Sequence, residues 1–561
     1  MAINNGDSND GEFPHTDEAV SAERRKLYLA VLNGDWKFVE NMDRIQTIIT
    51  DKGATTLHIA AAANQEDFVK NLVKKLSEEE LEVENYAENT ALSYAAATGN
   101  VNIAMAMLEK NSRLANLGKV KPLSMAASLG HSEMVDYLYE KTEVHKWEED
   151  EKAKLFITCV EGNLYGIAMK ILKDNSDLAK PRKENEETVL HVLARKPSAF
   201  VSETRPWLKL KQENSKQIQA KELFEDYLQA YRVDAGNSSM IEHVLFYAAE
   251  EGNIECVIML IRFDFDLLWK TKNGKSIFHV AAEKRHESIF YLLNEIGSIG
   301  DMIIDSKTEN ANNILHLAAE LAPKEKLNAI SGAALQMQRE MLWFKEVEKI
   351  VPPVFKEMKN GNKETPYVVF ARTHEELRTK GERWMIDTAN YSMVVATLIG
   401  STMFSGLIAD GLDRSSKHYL AFSVASAISL FSSSTSLVMF LSILTSRYSY
   451  NDFVLWLPLR LLIGIASLCI SIAAMMVAFF ISFMLANHNG KELPVIFAVI
   501  GLFAIAPIIY GVLKWYLFID IARSTFFRFK PRQRLLYKEM SNEPASLAIE
   551  SDHCINLACI K

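Results

Sequence analysis

The sequence predicts an all-α protein in which a solenoid of repeated helix pairs is followed by a four-helix transmembrane bundle. Two observations predict this fold class. A short motif recurs before residue 320 at intervals that are mostly 31 to 37 residues, and four long uncharged segments lie between Asp387 and Lys514. The length of 561 residues also exceeds that of one compact domain, so separate units are expected.

The recurring motif consists of an apolar residue, a histidine or its substitute, and a pair of alanines. Its clearest copies centre on His58, His279 and His316. The degenerate and partial copies centre on Tyr28, Ser93, Ser124, Phe156, His191 and Phe246. The spacing matches the ankyrin period of roughly 33 residues. The sequence therefore predicts an ankyrin-repeat solenoid of about nine repeats over residues 21–360.

Each element of the motif has a physical role. A Thr, Ser or Asn before the first helix can cap its free backbone N–H groups. The repeat histidines are expected to hydrogen-bond neighbouring backbone, and the alanine pair is small enough to let helices approach closely. A glycine six residues after the histidine position is expected to end the helix in the left-handed conformation. This glycine occurs in five copies, as Gly34, Gly99, Gly130, Gly162 and Gly252.

One interval between copies is 55 residues long and contains an insertion at about 197–240 that is rich in Lys, Gln and Glu. Within it, residues 211–231 have a helical pattern. We interpret the insertion as a solvated helical excursion between two solenoid halves, with a partner-binding element as the alternative. A further amphipathic helix is predicted over residues 335–358, at the end of the solenoid.

The four uncharged segments are 21 to 30 residues long, and each is apolar enough to cross a membrane. A span needs about 20 residues, and a charge at its centre would cost about 2.5–3.5 kcal/mol. The predicted spans, within a membrane domain over residues 390–515, are 390–409, 419–443, 460–485 and 494–514.

The distribution of charge predicts the orientation of these spans. Thirteen Lys and Arg residues near the spans lie on the side of the two termini, and three lie on the other side. Both termini are therefore expected in the cytosol, with a disordered acidic tail over 1–20 and a basic tail over 516–561. The net charge of −9 argues against nucleic acid as a partner. No signal peptide is expected.

The second predicted span contains an unusual run of hydroxyl side chains. Such groups can hydrogen-bond across helices or to their own backbone, and they can also line a polar pore in an oligomer. Both alternatives, helix packing and pore lining, apply to Ser432, Ser433, Ser434, Thr435 and Ser436.

The connector over residues 361–389 carries the most distinctive motif. After Phe370, His374 and Leu377 it places, in order, Gly381, Glu382, Trp384, Met385, Asp387, Thr388 and Ala389. With the loop Tyr450-Asn451-Asp452-Phe453, the chain resembles plant ankyrin-repeat transmembrane proteins with a PGG domain, of the accelerated-cell-death or increased-salt-tolerance type. The Pro-Gly-Gly that names this domain is replaced here by Ala409-Asp410-Gly411. The resemblance implies a multi-pass membrane protein, at the plasma membrane or an endomembrane, in plant stress or defence signalling.

We hypothesise a signalling adaptor that binds proteins through its ankyrin surface, while the spans hold it in the lipid bilayer and can support a homo-oligomer. Hairpin tips such as Asn273-Gly274-Lys275 and Thr308-Glu309 are candidate contacts. The alternative is a subunit of an oligomeric, calcium-permeable ion channel. An enzyme is not expected, and neither a cofactor nor a metal is. The loop 447–459 lacks the Cys and His residues that palmitoyltransferases with ankyrin repeats require, and no phosphate-binding or zinc-protease motif is present.

Overall fold

A computed structural model describes residues 15–42, 45–179, 187–200, 215–232, 238–408, 417–486, 518–522 and 536. These residues fall into two compact units, divided between Met259 and Leu260. In the described part of the chain the structure is helical, with two isolated backbone bridges, Ile48–Thr55 and Lys272–Lys275, in place of strands. The predicted all-α fold class is confirmed. The first helix begins at His15, inside the predicted tail, and residues 1–14 lie outside the described part.

The first unit is a stack of helix pairs, in which first helices pack on the first helices of neighbouring pairs. The pairs are α1 (His15–Leu32) with α2 (Trp36–Val39), α3 (Thr56–Ala62) with α4 (Glu66–Lys75), α5 (Ala91–Thr98) with α6 (Val101–Lys110), α7 (Pro122–Ser128) with α8 (Ser132–Lys141), α9 (Glu149–Glu161) with α10 (Tyr165–Asp174), α11 (Val189–Ala194) with α12 (Ser215–Arg232), and α13 (Ser238–Glu251) with α14 (Ile254–Phe263). Shorter helical turns are Glu78–Leu81, Ser112–Asn116, Val144–Lys146, Ser176–Ala179, Pro197–Ala199 and, after the division, Phe265–Trp269. The helix α14 itself crosses the division between the units.

The alanine pairs form the contact between first helices. Ala60 and Ala61 of α3, like Ala95 and Ala96 of α5, are completely buried. With no side chain beyond Cβ, they let the two helix backbones approach closely, as the sequence predicts. The second helices add larger apolar groups, such as the buried Phe68 of α4. The core is therefore continuous along the stack, which is how a repeat protein compensates for pairs that cannot fold alone.

The predicted glycine ends are confirmed in all but one of the five copies. Gly34, Gly99, Gly130 and Gly252 have φ between 71° and 76°, the left-handed conformation that glycine adopts without steric cost. Gly162 is the exception, since its φ is −77° and Asn163 takes the left-handed position instead, at φ 58°. The helix α9 still ends directly before Gly162, and only the left-handed residue is shifted by one position, to Asn163.

The interpretation of the insertion as a solvated excursion is wrong. The helix α12 is the second helix of its own pair and packs against α10 and α11. Its inner face is buried at Ala220, Leu223, Phe224 and Tyr227, and the Tyr227 ring stacks on Phe156 at a centroid distance of 6.3 Å. The many Lys, Gln and Glu residues of α12 conceal this apolar face in the sequence. The longer interval reflects the connection over 201–214, which lies outside the described residues.

The second unit begins with further repeat helices and continues into long apolar helices. Its helices after α14 are α15 (Ile277–Lys284), α16 (Glu287–Phe290), α17 (Leu293–Ile296), α18 (Ser298–Ile303), α19 (Ile314–Ala318), α20 (Lys324–Asn328), α21 (Ala333–Ile350), α22 (Val354–Glu357), α23 (Pro366–Ile408), α24 (Lys417–Leu444) and α25 (Trp456–Ala486). The predicted amphipathic helix is α21, and Pro352-Pro353 stops it after Ile350.

Three described helices, α23, α24 and α25, are long and apolar enough to cross a membrane. The candidate segments are Pro366–Ile408, His418–Leu444 and Trp456–Phe483. They correspond to the first three predicted spans. The predicted span over 494–514 lies outside the described residues, so the observed count is three rather than four. The connector is not a separate linker, because its residues from Pro366 onward form the first half of the 43-residue helix α23.

Candidate functional site

The spacing of the connector motif has a structural explanation where α23 packs against α21. Gly381 lies where the two helices approach closely. A Cβ atom added there would meet the Cα of Ala334 at 3.2 Å and the Phe453 ring at 3.2 Å. Glycine therefore lets α23 contact both α21 and the loop that joins α24 to α25.

The other motif residues divide into a packing face and an outer face of α23. Trp384 lies over Gly332, where its ring would be 2.8 Å from an added Cβ, and the positive φ of 86° at Gly332 also favours glycine. Met385 and Ala389 are buried on the same side as Gly381. The remaining motif residues are exposed or half-buried, namely Glu382, Asp387 and Thr388.

A buried charged cluster joins α15, α21 and α23 next to this face. The Arg285 guanidinium donates to Glu340 from Nε at 3.2 Å and from Nη2 at 2.7 Å. His374 Nε2 lies 3.0 Å from the same carboxylate, and the Ala322 N–H donates to it at 3.1 Å. All three side chains are at least nine-tenths buried. The cluster therefore connects one repeat helix, the long helix α21 that follows the repeats, and the connector itself.

The electrostatics of this cluster hold Glu340 as a carboxylate. Burial alone would raise its pKa, but the charge of Arg285 and the hydrogen bonds from His374 and Arg285 outweigh burial and lower the pKa to about 2. Arg285 also donates from Nη1 to the carbonyls of Ala282 and Glu283, both at 3.0 Å. Its own charge is therefore satisfied on several sides, as a buried ion pair requires.

Sequence reasoning missed Glu340 and Arg285 and named His374 only as part of the resemblance. One signal for Arg285 was present. It stands six residues after His279, where other copies have the helix-ending glycine, and it adopts the same left-handed conformation with φ of 63°. A bulky residue at such a strained position indicates a role beyond ending the helix.

The loop between α24 and α25 docks onto the connector. The Tyr450 hydroxyl lies 3.0 Å from the Ala371 carbonyl and 2.7 Å from the Glu375 carboxylate. Hydrogen bonds from Arg378 and Tyr450 lower the pKa of Glu375 to about 2. Phe453, in the same loop, is completely buried. The loop and the connector, which carry the two parts of the resemblance, are thus in direct contact.

The repeat histidines occupy one structural position and bond to the backbone, as predicted. In His58, His279 and His316, Nδ1 accepts from a capping residue's N–H and Nε2 faces a backbone carbonyl farther along the chain. For His58, His279 and His316 the Nε2–oxygen distances are 3.0, 3.1 and 3.0 Å. Burial lowers the pKa of each, to about 4 for His279. In the described residues, no group of three or more His, Cys, Asp or Glu is placed to hold a metal ion.

The hydroxyl run of α24 is split between two faces of the helix. Ser433 and Ser436 are completely buried, and Ser436 donates to the Gly464 carbonyl of α25 at 3.0 Å. Ser434 and Thr435 are exposed and bond to carbonyls of their own helix at 2.9 Å, while Ser432 is half-buried.

Two further serines, outside the predicted run, extend the buried face of α24. The first is Ser429, whose hydroxyl donates to the backbone carbonyl of Ser471 in α25 at 2.9 Å, while the Ser471 hydroxyl donates to the Ser429 carbonyl at 2.8 Å. Ser426 is also completely buried. The buried stripe therefore runs along 426, 429, 433 and 436 at helical spacing, and it supports helix packing for these positions.

A comparison with protein families agrees with the repeat geometry. A family model described as ankyrin repeats (3 copies) matches residues 27–119, 57–150, 220–304 and 245–331. The chain contains ankyrin repeats. The third match begins within α12, as expected if that helix belongs to a repeat. The matches end at residue 331, before α21 and the apolar helices.

Among solved structures, the chain is similar to the crystal structure of human ASB11 ankyrin repeat domain. The two are 18% identical, the match covers 40% of this chain and 89% of that chain, and the TM-score is 0.27. No curated protein matches the sequence. Ankyrin repeats are protein-interaction modules and are typically non-catalytic scaffolds, and the three apolar helices indicate membrane association.

We call the packing of α23 on α21 and on the loop between α24 and α25 the junction. Gly381→Leu is expected to lower the free energy of unfolding of this junction by about 1–3 kcal/mol, because the new side chain overpacks the contact with Ala334 and Phe453. Thermal unfolding of the full chain in detergent measures the change. The matched control is Gly406→Leu, since an added Cβ at Gly406 meets only the Phe422 ring, at 3.7 Å. Equal midpoints for the two variants would show that the close approach at Gly381 does not matter.

Proposed function

We propose that the protein is a membrane-anchored adaptor that binds protein partners through its ankyrin repeats in plant stress or defence signalling. The observation that carries the proposal is the junction in the second unit. There the last repeat helices, the connector and the first apolar helix are joined by the buried Arg285–Glu340–His374 cluster. Such a junction suits a protein that presents a binding surface from a membrane, because a flexible linker would not fix that surface.

The hairpin tips of the repeats offer the binding groups. Lys272 and Asn273 are exposed at one tip, and Glu309 is exposed at the next. Their backbones are tightly packed, since a Cβ added to Gly274 would lie 2.1 Å from the Lys307 carbonyl oxygen. Rigid backbones that display exposed polar side chains lower the ordering cost of binding. This arrangement supports partner binding at the tips.

The proposed location is the plasma membrane, with both termini in the cytosol. The excess of basic residues beside the termini supports this orientation. In this orientation the ankyrin repeats meet cytosolic proteins, and the apolar helices can also hold a homo-oligomer together.

The test of the adaptor is a charge reversal at two hairpin tips, Lys272→Glu with Glu309→Lys. We expect the variant to lose partner proteins severalfold in cross-linking and affinity purification from intact plant cells, while its amount in the membrane fraction stays unchanged. Both side chains are exposed, so folding should not suffer.

The matched control for that experiment is Glu325→Lys, an exposed reversal on α20 away from the tips. Unchanged partner recovery from the tip variant would contradict binding at these tips. Equal losses from the tip and control variants would point to nonspecific charge attraction instead.

The alternative function, a subunit of an oligomeric calcium-permeable channel, is favoured by one observation. Ser434 and Thr435 expose hydroxyls on the outside of α24, where a second subunit could face them. The test is current through planar bilayers that contain the purified full chain. A selective current that Ser434→Leu abolishes would favour the channel function over the adaptor function. The absence of current, with insertion into the bilayer verified, would support the adaptor function.

A further inference from the structure

An open cavity of about 440 Å³ lies where α24 ends and α25 begins. Its walls come from the last turn of α24, from the loop, and from the first turn of α25. They include Ser442, Thr445, Ser446, Arg447, Trp456 and Arg460. The volume falls within the range of roughly 300–1,000 Å³ that is usual for small-ligand sites.

The two arginines give this cavity its charge. Arg460 Nη1 donates to the Ser442 carbonyl at 3.1 Å and to Ser446 Oγ at 2.7 Å, so its guanidinium is fixed at the end of α24. Arg447 is exposed at the rim and makes no ion pair within the described part of the chain. Asp452 also lines the cavity, and its carboxylate accepts from the Ser449 N–H at 3.2 Å. Two cations against one carboxylate leave an excess of positive charge, with donors in place for an anion.

The surroundings of the cavity identify the kind of anion. Trp456 is 59% exposed at the first residue of an apolar helix, the position that tryptophan favours at the membrane–water interface. Ile463 follows seven residues later on the same helical face and is also exposed. On α24, Leu441 and Val438 are 56% and 61% exposed and share a face with Thr445. Apolar surface thus continues from the charged cavity along both helices.

We propose that this cavity binds the phosphate group of an anionic phospholipid, whose acyl chains lie along the exposed apolar faces of α24 and α25. The inference rests on the proposed membrane anchoring, because only inserted helices place the cavity at the level of lipid headgroups. A soluble phosphate would use the arginines but would not need the apolar surface below them.

The experiment uses the full chain in mild detergent, mixed with dioleoyl phosphatidylglycerol or dioleoyl phosphatidylcholine, and native mass spectrometry to count retained lipid. We expect preferential retention of phosphatidylglycerol. Arg447→Gln should reduce that preference about fivefold, the effect of one basic residue near an anionic headgroup. Because Arg447 bonds no protein group in the described residues, this variant should fold normally. The control is Arg383→Gln, an exposed arginine in the first half of α23 and outside the cavity.

Three outcomes would overturn the proposal: equal retention of the two lipids, equal losses from Arg447→Gln and Arg383→Gln, or displacement of the lipid by inorganic phosphate, which would make this a site for a soluble anion. Alkaline extraction of membranes that carry the full chain separates this failure from that of the proposed function. A chain that stays in the membrane without headgroup preference overturns the lipid site alone. A chain that the extraction releases overturns both.

Discussion

Glu340→Gln is expected to destabilise the junction between the ankyrin repeats and the first apolar helix by about 3–5 kcal/mol, because it leaves the Arg285 charge buried without its partner. Arg285 keeps its bonds to backbone carbonyls but loses the carboxylate that accepts at 2.7 Å. His374 loses the same acceptor. In the wild type, the lowered pKa of Glu340 means that its stabilisation is complete above the ordinary pKa of 4.5 and is lost as the pH falls toward about 2.

Hydrogen–deuterium exchange of the full chain in lipid nanodiscs measures this prediction. Glu340→Gln should speed exchange in α21 and in the first half of α23, and Glu325→Gln, at an exposed position, should leave it unchanged. The double variant Arg285→Met with Glu340→Leu removes both charges and should recover most of the protection. If the single variant exchanges like the wild type, the cluster does not hold the junction together.

Lowering the pH from 6.5 toward 4 is expected to destabilise the repeat that contains His279 by about 3 kcal/mol, at 1.36 kcal/mol per pKa unit. Burial lowers the folded-state pKa of His279 from 6.5 to about 4. Between these values the unfolded chain binds a proton that the folded chain excludes, so stability is complete above 6.5 and falls as the pH falls. The pKa values of His58 and His316 are lowered by burial as well, so they act in the same direction.

Pulse proteolysis of α15 across this pH range measures the effect. His279→Ser introduces the residue that Ser93 and Ser124 already provide at the same position of other repeats. This variant should be less stable at neutral pH but should show a flatter pH dependence below 6.5. The exposed His145 gives the control, since His145→Ser should leave the slope unchanged. A pH dependence that survives His279→Ser would assign the titration to other groups.

The parts of the fold that repeat were predictable, and the parts that occur once were not. The histidine at 58, 279 and 316 recurs because it performs the same backbone bonding in each copy, so its role could be inferred from periodicity. The helical pattern over residues 211–231 predicted the helix α12 itself. Its place as the second helix of a repeat could not be recognised, because its buried face is hidden among charged residues and a long connection changes the spacing.

The candidate site escaped prediction for a related reason. Arg285 and Glu340 are 55 residues apart, and Glu340 and His374 are 34 apart, so only the tertiary packing brings them together. The hydroxyl run shows the same limit at shorter range. Adjacent residues such as Ser433 and Ser434 appear as one cluster in the sequence, but a helix turns them to different faces, one buried and one exposed.

The helix α23 runs for 43 residues from Pro366 to Ile408 without a break, and its first half packs on α21 while its second half is apolar. At 1.5 Å per residue it is a rod of roughly 65 Å. Because no break in the helix absorbs bending, a tilt of the apolar half is passed on to the half that packs on α21. The uninterrupted helix therefore couples the orientation of its apolar half to that of the repeat helices beside its first half.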